Sequence, residues 1–277
     1  MNINPKKAIG KTISYLILGF FAVITLFPFY WMTITALQDS NAAVTWPPQL
    51  WPKTLHWENF NRLLEAAPFG RYFMNSVIVV IMDLAVSLPV MSLAAFGFSH
   101  YQFKWKEPIF MLFLATMMIP SESLIITNFR TVARLGWFDT YHVLFLPYVA
   151  SVFYIYLLRQ AFESVPKQLY LAAKIDGCSD FQYFLKILLP IAKPMMITIG
   201  ILKIIASWNS FMWPLLVTNT NRMRVISYGL VAFQSEAGND FPLMMAASIF
   251  TVAPMVVLYL IARKKIIDGI ARGGIKG

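Results

Sequence analysis

The chain has 277 residues, of which 58 % are hydrophobic and only 13 % charged, with a formal net charge of +10. Soluble domains carry about 25 % charged residues, so this composition excludes an ordinary soluble fold and places the chain in the membrane class. The one cysteine, Cys178, excludes an internal disulfide framework.

In chain order, six segments are long and apolar enough to cross a bilayer, which takes ~20 residues each. Residues 1–11 form a short basic tail. Residues 12–37 hold ISYLILGFFAVITLFPFYWM and no charge. That run is too long for a signal peptide and has no A-x-A site, so it reads as an uncleaved anchor. Residues 38–71 form a loop with Trp46, Trp51 and Trp57, rings favoured at the membrane interface or available to an outer partner.

The second span, 72–98, is broken only by Asp83, and the third, 108–121, continues past Glu122 through LIITNF. The fourth is 140–158, the fifth, 194–218, carries the single charge Lys203, and the sixth is 241–262. Pro28, Pro89, Pro120, Pro147, Pro214 and Pro254 fall in these spans. Each removes an N–H donor and can kink its helix. That is compatible with ordinary packing or with bent helices shaping a cavity.

Orientation follows from the basic residues. With the N-terminus inside, 15 of the 23 Lys and Arg fall in inside segments, 7 in outside segments, and Lys203 in a span. The asymmetry puts both termini in the cytoplasm. It also accounts for the positive charge without invoking nucleic acid.

Asp83, Glu122 and Lys203 are costly in hydrocarbon unless paired, near the surface or facing a polar interior. Lys203 can also snorkel towards the edge. Structural pairing, a lining role in a pathway and proton coupling are all open from the sequence. Ser207, Asn209 and Ser210, with Trp208 and Trp213, offer polar and aromatic groups to a pathway or to a partner subunit. No P-loop and no HExxH motif is present, and His56, His100 and His142 fall in different topological regions. Neither ATP hydrolysis nor a metal centre is therefore expected of this chain.

The most organised polar segment is the inside loop 159–193. KQLYLAAKID, 167–176, suits a short helix entered at Pro166. At about 100° per residue, Leu169, Ala172, Ala173 and Asp176 share one side, and Leu171 and Ile175 form a second stripe. Gly177 can take the left-handed conformation that ends the helix. Ser179 and Gln182 make a capping box for a second helix, in which Phe181, Phe184, Leu185 and Leu188 recur on one face. Pro190 and Pro194 follow. This much punctuation suits a docking bracket under the membrane, with a surface amphipathic helix as the rival.

VPKQLYLAAKIDGCSDFQYFLKILLPIAKP resembles the cytoplasmic signature of the membrane subunits of binding-protein-dependent ABC importers. The family form is Glu-Ala-Ala, three residues, then Gly, with a proline-bearing end. Ala172, Ala173, Asp176, Gly177, Pro190 and Pro194 match it, whereas Leu171 stands at the usual glutamate. With AAKIDG, LLPIAKP and the terminal DGIARGGIKG, the chain is similar to the sugar branch, and more narrowly to the second, maltose-type permease.

The resemblance implies an all-α, six-span permease of the type I importer fold over 12–262, with a cytoplasmic tail at 263–277. In such a permease the 159–193 loop forms a coupling helix seated on an ATPase, with Leu169, Leu171, Ala172, Ala173, Asp176 and Gly177 at the contact. The tail residues Gly273, Gly274, Lys276 and Gly277 would run near the ATPases. Asp83, Lys203 and Asn209 would be candidates for the pathway. Implied partners are a second permease, two ATP-binding subunits holding ATP and Mg, a solute-binding protein at residues 219–240, a sugar and the bilayer. The permease itself would hold no cofactor and catalyse no covalent change. An importer for another solute, an ion-coupled secondary transporter and a membrane scaffold are the alternatives.

Overall fold

The structure is a computed structural model that describes residues 5–235 and 238–274. It is almost wholly helical. Helix α1 spans Pro5–Ala36, α2 Glu58–Ala66, α3 Phe69–His100, α4 Lys106–Thr116, α5 Ile125–Leu135 and α6 Tyr141–Phe145. Then come α7 Val152–Glu163, α8 Lys167–Ile175, α9 Asp180–Tyr183, α10 Leu189–Ile191, α11 Lys193–Trp208, α12 Met212–Val217 and α13 Phe241–Gly274. A π-helical turn, Phe184–Leu188, joins α9 to α10. A two-residue antiparallel ladder, with Gln234 opposite Asn239 and Ser235 opposite Gly238, is the β-structure among the described residues.

Among the described residues, three helices are long and apolar enough to cross a membrane by themselves: Gly10–Ala36, Phe69–His100 and Phe241–Arg263. Three bent pairs bring the candidates to as many as six. Lys106–Thr116 meets Ser121–Leu135 at 90°, Tyr141–Tyr148 meets Val152–Glu163 at 58°, and Asp180–Ile191 meets Lys193–Trp208 at 77°. The chain is thus an all-α, multi-pass membrane protein.

The breaks interrupt three expected spans; the fourth bends by 58° after Tyr148. The third does not run straight on past Glu122. Pro120 starts a 3-10 turn, Ser121–Leu124, and α5 leaves at 90°. The fifth stops at Trp208 and restarts at Met212. Not every proline breaks its helix: Pro28, Pro89 and Pro254 lie inside α1, α3 and α13. Pro120 immediately precedes the 3-10 turn of the 90° bend, and Pro147 sits in that of the 58° bend. Once its N–H donor is missing, a turn survives where the flanking residues still bond in register and gives way where they do not.

The chain divides into two compact units, one of residues 1–69 and 229–253, the other of residues 70–228 and 254–277. In the first, the side chains of α1 are exposed over most of its length, as befits a helix apolar on all sides whose surface meets lipid or another chain. The carbonyls of Ala36, its last residue, and of Gln38, just beyond it, accept from Asn59 Nδ2 at 3.0 and 2.9 Å. Arg62 pairs with Asp240 at 3.0 Å, and Phe69 stacks on Phe233 with ring centres 6.0 Å apart.

Among the described residues, the second unit holds two apolar cores. One gathers Met91, Phe96, Leu158, Phe162, Phe184 and Ile199. The other gathers Val79, Val132, Val143, Phe145, Trp213 and Val217. The candidate sites belong to this unit.

Candidate functional site

Helix α8 follows Ser164, Val165 and Pro166, and Pro166 is its N-cap. Its end is closed by backbone alone. Gly177 sits at φ +78°, the Gly177 N–H donates to Lys174 O at 3.1 Å, and the Cys178 N–H donates to Ala173 O at 2.9 Å. This is the Schellman pattern, which satisfies two carbonyls that a helix end would otherwise leave orphaned. The capping box follows, with the Ser179 N–H donating to Gln182 Oε1 at 3.0 Å and the Gln182 N–H donating to Ser179 Oγ at 3.2 Å.

The two alanines of α8 part company. Ala173 is 4 % exposed and packs into the core with Phe162, Tyr183 and Phe184. Ala172, Asp176 and Gly177 are exposed, as are Leu169 at 41 %, Leu171 at 59 % and Ile175 at 87 %. The side expected to hold Leu169, Ala172, Ala173 and Asp176 is thus split, with Ala173 turned inward and the other three exposed. In the second helix, Phe184 and Leu188 are buried while Phe181 and Leu185 are exposed. Residues 184–188 form a π turn, whose wider winding changes which positions share a face.

A polar and aromatic node holds this bracket. Asp180 accepts from Tyr170 OH at 3.0 Å and pairs with Lys174 at 2.6 Å. That hydrogen bond holds the Lys174 ammonium above its ordinary pKa. His100, at the end of α3, meets the Tyr170 ring edge-on at 4.4 Å and stacks on Phe96 at 4.7 Å. Nearby, buried Arg159 bonds Glu107 and Glu163 and covers the Phe110 ring at 4.2 Å, tying α7 to α4. Sequence reading missed His100, Tyr170 and Asp180. Only packing brings the end of α3 to α8, so no local pattern announces them.

Within the spans, Lys203 Nζ lies 2.9 Å from Asp83 Oδ1, and both residues are buried. The same ammonium donates to Tyr148 O at 2.9 Å, and Ser87 Oγ donates to Asp83 Oδ1 at 2.6 Å. Tyr148 ends the 3-10 turn at the 58° bend, so Lys203 also satisfies a carbonyl beside a helix break. Asp83, Lys203 and Glu122 line one cavity of about 440 Å³ together with Ser207, Ser210 and Trp213. Asn209 does not line it; this residue is the exposed C-cap of α11. Gly273 and Gly274 end α13, and Lys276 and Gly277 lie outside the described residues. Among the described residues, no group of three or more His, Cys, Asp or Glu side chains is placed to hold a metal ion.

Comparison with known proteins fits this geometry. Residues 66–264 match the family described as "binding-protein-dependent transport system inner membrane component". The arabinooligosaccharides transport system permease protein AraQ of Halalkalibacterium halodurans is 31 % identical over 98 % of this chain and 100 % of its own length. The trehalose/maltose transport system permease protein MalG of Thermococcus litoralis is 34 % identical over 92 % of this chain and 93 % of its own. A chain of a bacterial ABC transporter involved in import of the acidic polysaccharide alginate shares the fold, with a TM-score of 0.82, 20 % identity, and coverage of 95 % of this chain and 98 % of that one. With a family match over most of its length and relatives this similar end to end, the chain belongs to the inner membrane components of binding-protein-dependent transport systems.

Proposed function

We infer that this chain is one of two permease subunits of an ATP-driven carbohydrate importer, of the maltose-type second-permease kind. It forms half of a pathway that opens alternately to either side. Its six spans are the three straight helices and the three bent pairs. Both termini lie in the cytoplasm, where the excess of Lys and Arg puts them. Helix α8 is then the coupling helix, seated with Leu169, Leu171, Ala172, Asp176 and Gly177 at the surface of an ATPase. The tail with Gly273, Gly274 and Lys276 runs beside it. ATP and Mg belong to the two ATPases, and a loaded solute-binding protein docks outside on residues 219–240.

The observation that carries this reading is the apolar ridge of α8. Leu171 and Ile175 are exposed on a helix that starts after Pro166 and is closed at its C-terminus by a Schellman turn. A rigid element with an uncovered apolar face on the side rich in Lys and Arg fits a protein partner. Leu171, where the family carries glutamate, makes that contact apolar in place of a charged one. Carbohydrate as the solute is supported by the names of the relatives, which differ in the sugar they specify. Movement between inward and outward states is a population shift, driven by whichever partner binds one state better.

The test is reconstitution in proteoliposomes with the companion permease, the ATPases and the binding protein. ATP hydrolysis stimulated by loaded binding protein, with uptake of labelled oligosaccharide, is expected. Uptake that follows an ion gradient without ATP would overturn the reading in favour of secondary transport.

A further inference from the structure

Three interruptions of helical backbone border the cavity of about 440 Å³. Glu122 comes from the 3-10 turn at the 90° bend, and Tyr148 from the turn at the 58° bend. Ser210 and Phe211 come from the unwound residues between α11 and α12. Non-helical backbone at membrane depth persists only where it is packed in protein or lines a polar cavity. Side chains satisfy two carbonyls of these breaks. Lys203 donates to Tyr148 O at 2.9 Å, and Ser227 Oγ donates to Ser210 O at 2.7 Å. The cavity is thus a braced feature of the fold.

Its charges do not cancel. Asp83 and Lys203 neutralise one another at 2.9 Å. Glu122, exposed and hydrogen-bonded by Ser121 Oγ at 3.2 Å, has no cationic partner among the described residues. The wall therefore carries one uncompensated carboxylate. The same cavity is lined by Tyr148, Phe211 and the core residue Trp213, and by Ser207 and Ser210. Trp213 is held in place by its Nε1–H donating to Val143 O at 2.8 Å. Rings accept the C–H face of a pyranose, and a carboxylate accepts from neighbouring hydroxyls. A few placed polar groups on an apolar wall are the usual make-up of a small-molecule site.

We propose that this cavity is a solute subsite on this chain for an uncharged polyhydroxylated ligand, with Glu122 as hydroxyl acceptor and acidic sugars repelled. The proposal rests on the importer reading and narrows it. A like charge brought within a few ångströms of Glu122 is repelled even at the effective dielectric of a protein surface, so one carboxylate is enough to discriminate.

The test uses the full complex with Cys178→Ser, which leaves no native thiol on this chain, and Ser207→Cys or Ser210→Cys as reporters. Labelling rates with a trimethylammonium and a sulfonate methanethiosulfonate reagent are each normalised to free mercaptoethanol. A normalised preference for the cation of about tenfold or more is expected, falling at least about fivefold with Glu122→Gln. Maltotriose, trehalose or lactose should slow labelling, and trigalacturonate should do so less. Equal or anion-favouring rates would overturn the proposal, as would a Glu122→Gln variant with unchanged preference. Protection by trigalacturonate equal to that by the neutral sugars, or protection by none of them, would also overturn it. Binding-protein-stimulated ATP hydrolysis is measured on the same complexes. Normal stimulation alongside a failed labelling test rejects the subsite and leaves the importer reading standing.

Discussion

Lys203 and Asp83 meet at 2.9 Å with both side chains almost wholly removed from solvent. The ammonium is shared with the carbonyl of Tyr148 beside a helix break. A buried pair of this kind is poor evidence of net stability, because desolvation offsets most of the attraction, but removing one partner leaves a buried charge alone. Lys203→Met should therefore destabilise the protein by about 3–5 kcal/mol, read as a lower midpoint of thermal aggregation in detergent. Asp83→Asn with Lys203→Met should recover much of the loss. A double variant no better than the single would show that the Tyr148 carbonyl, not the carboxylate, is what needs Lys203.

Gly177 stands at φ +78° with open space where a Cβ would go. Substitution is thus opposed by backbone strain and not by crowding. Gly177→Val should cost about 1–3 kcal/mol locally, unwinding the end of α8 while membrane insertion stays normal. Transport in proteoliposomes should fall sharply, and Gly177→Asn, which tolerates the left-handed region better, should retain more. Wild-type uptake by Gly177→Val would count against α8 as the coupling element.

Leu171 and Ile175 are exposed, whereas Ala173 is buried. Leu171→Asp or Ile175→Asp should change the thermal midpoint little, since surface changes usually stay within about 0.5 kcal/mol. The amount of ATPase that co-purifies should drop severalfold. Ala173→Leu should do the reverse, overpacking the core at a cost of about 1–3 kcal/mol before docking is affected. Finding both classes of variant equally unstable would argue that the ridge is packed against this chain's own surroundings.

Gly229 lies so close to Phe69 that a Cβ would overlap its ring. Gly229→Val should lower the thermal midpoint by overpacking, again by about 1–3 kcal/mol. Adding Phe69→Leu should restore part of the loss. No such rescue is expected at Gly177, where nothing stands in the way.

Much of the bracket was legible because its bonds are local. Gly177, Ser179 and Gln182 close hydrogen bonds that span only a few residues, so the pattern of glycine, serine and glutamine announces them. The apolar runs announced the membrane class in the same way. Sequence adjacency did not separate Asn209 from Ser207 and Ser210; those two line the cavity and Asn209 is exposed. His100, Tyr170 and Asp180 had no local signal. Their contacts join the end of α3 to the start of the second helix of the bracket.

By itself, then, the sequence determined a multi-span helical membrane protein with a basic excess on one side and a capped helix–turn–helix between its fourth and fifth apolar runs. Composition, charge asymmetry and short-range backbone bonding suffice for that. The tertiary structure alone decided that Ala173 turns inward while Leu171 and Ile175 turn out, and that Lys203 finds Asp83. It also decided that the runs around Glu122, Tyr148 and Ser210 break and open onto one cavity. Those outcomes depend on how helices pack side by side, which cancels or satisfies buried charges and broken backbone bonds across large distances in sequence, and no local pattern records it.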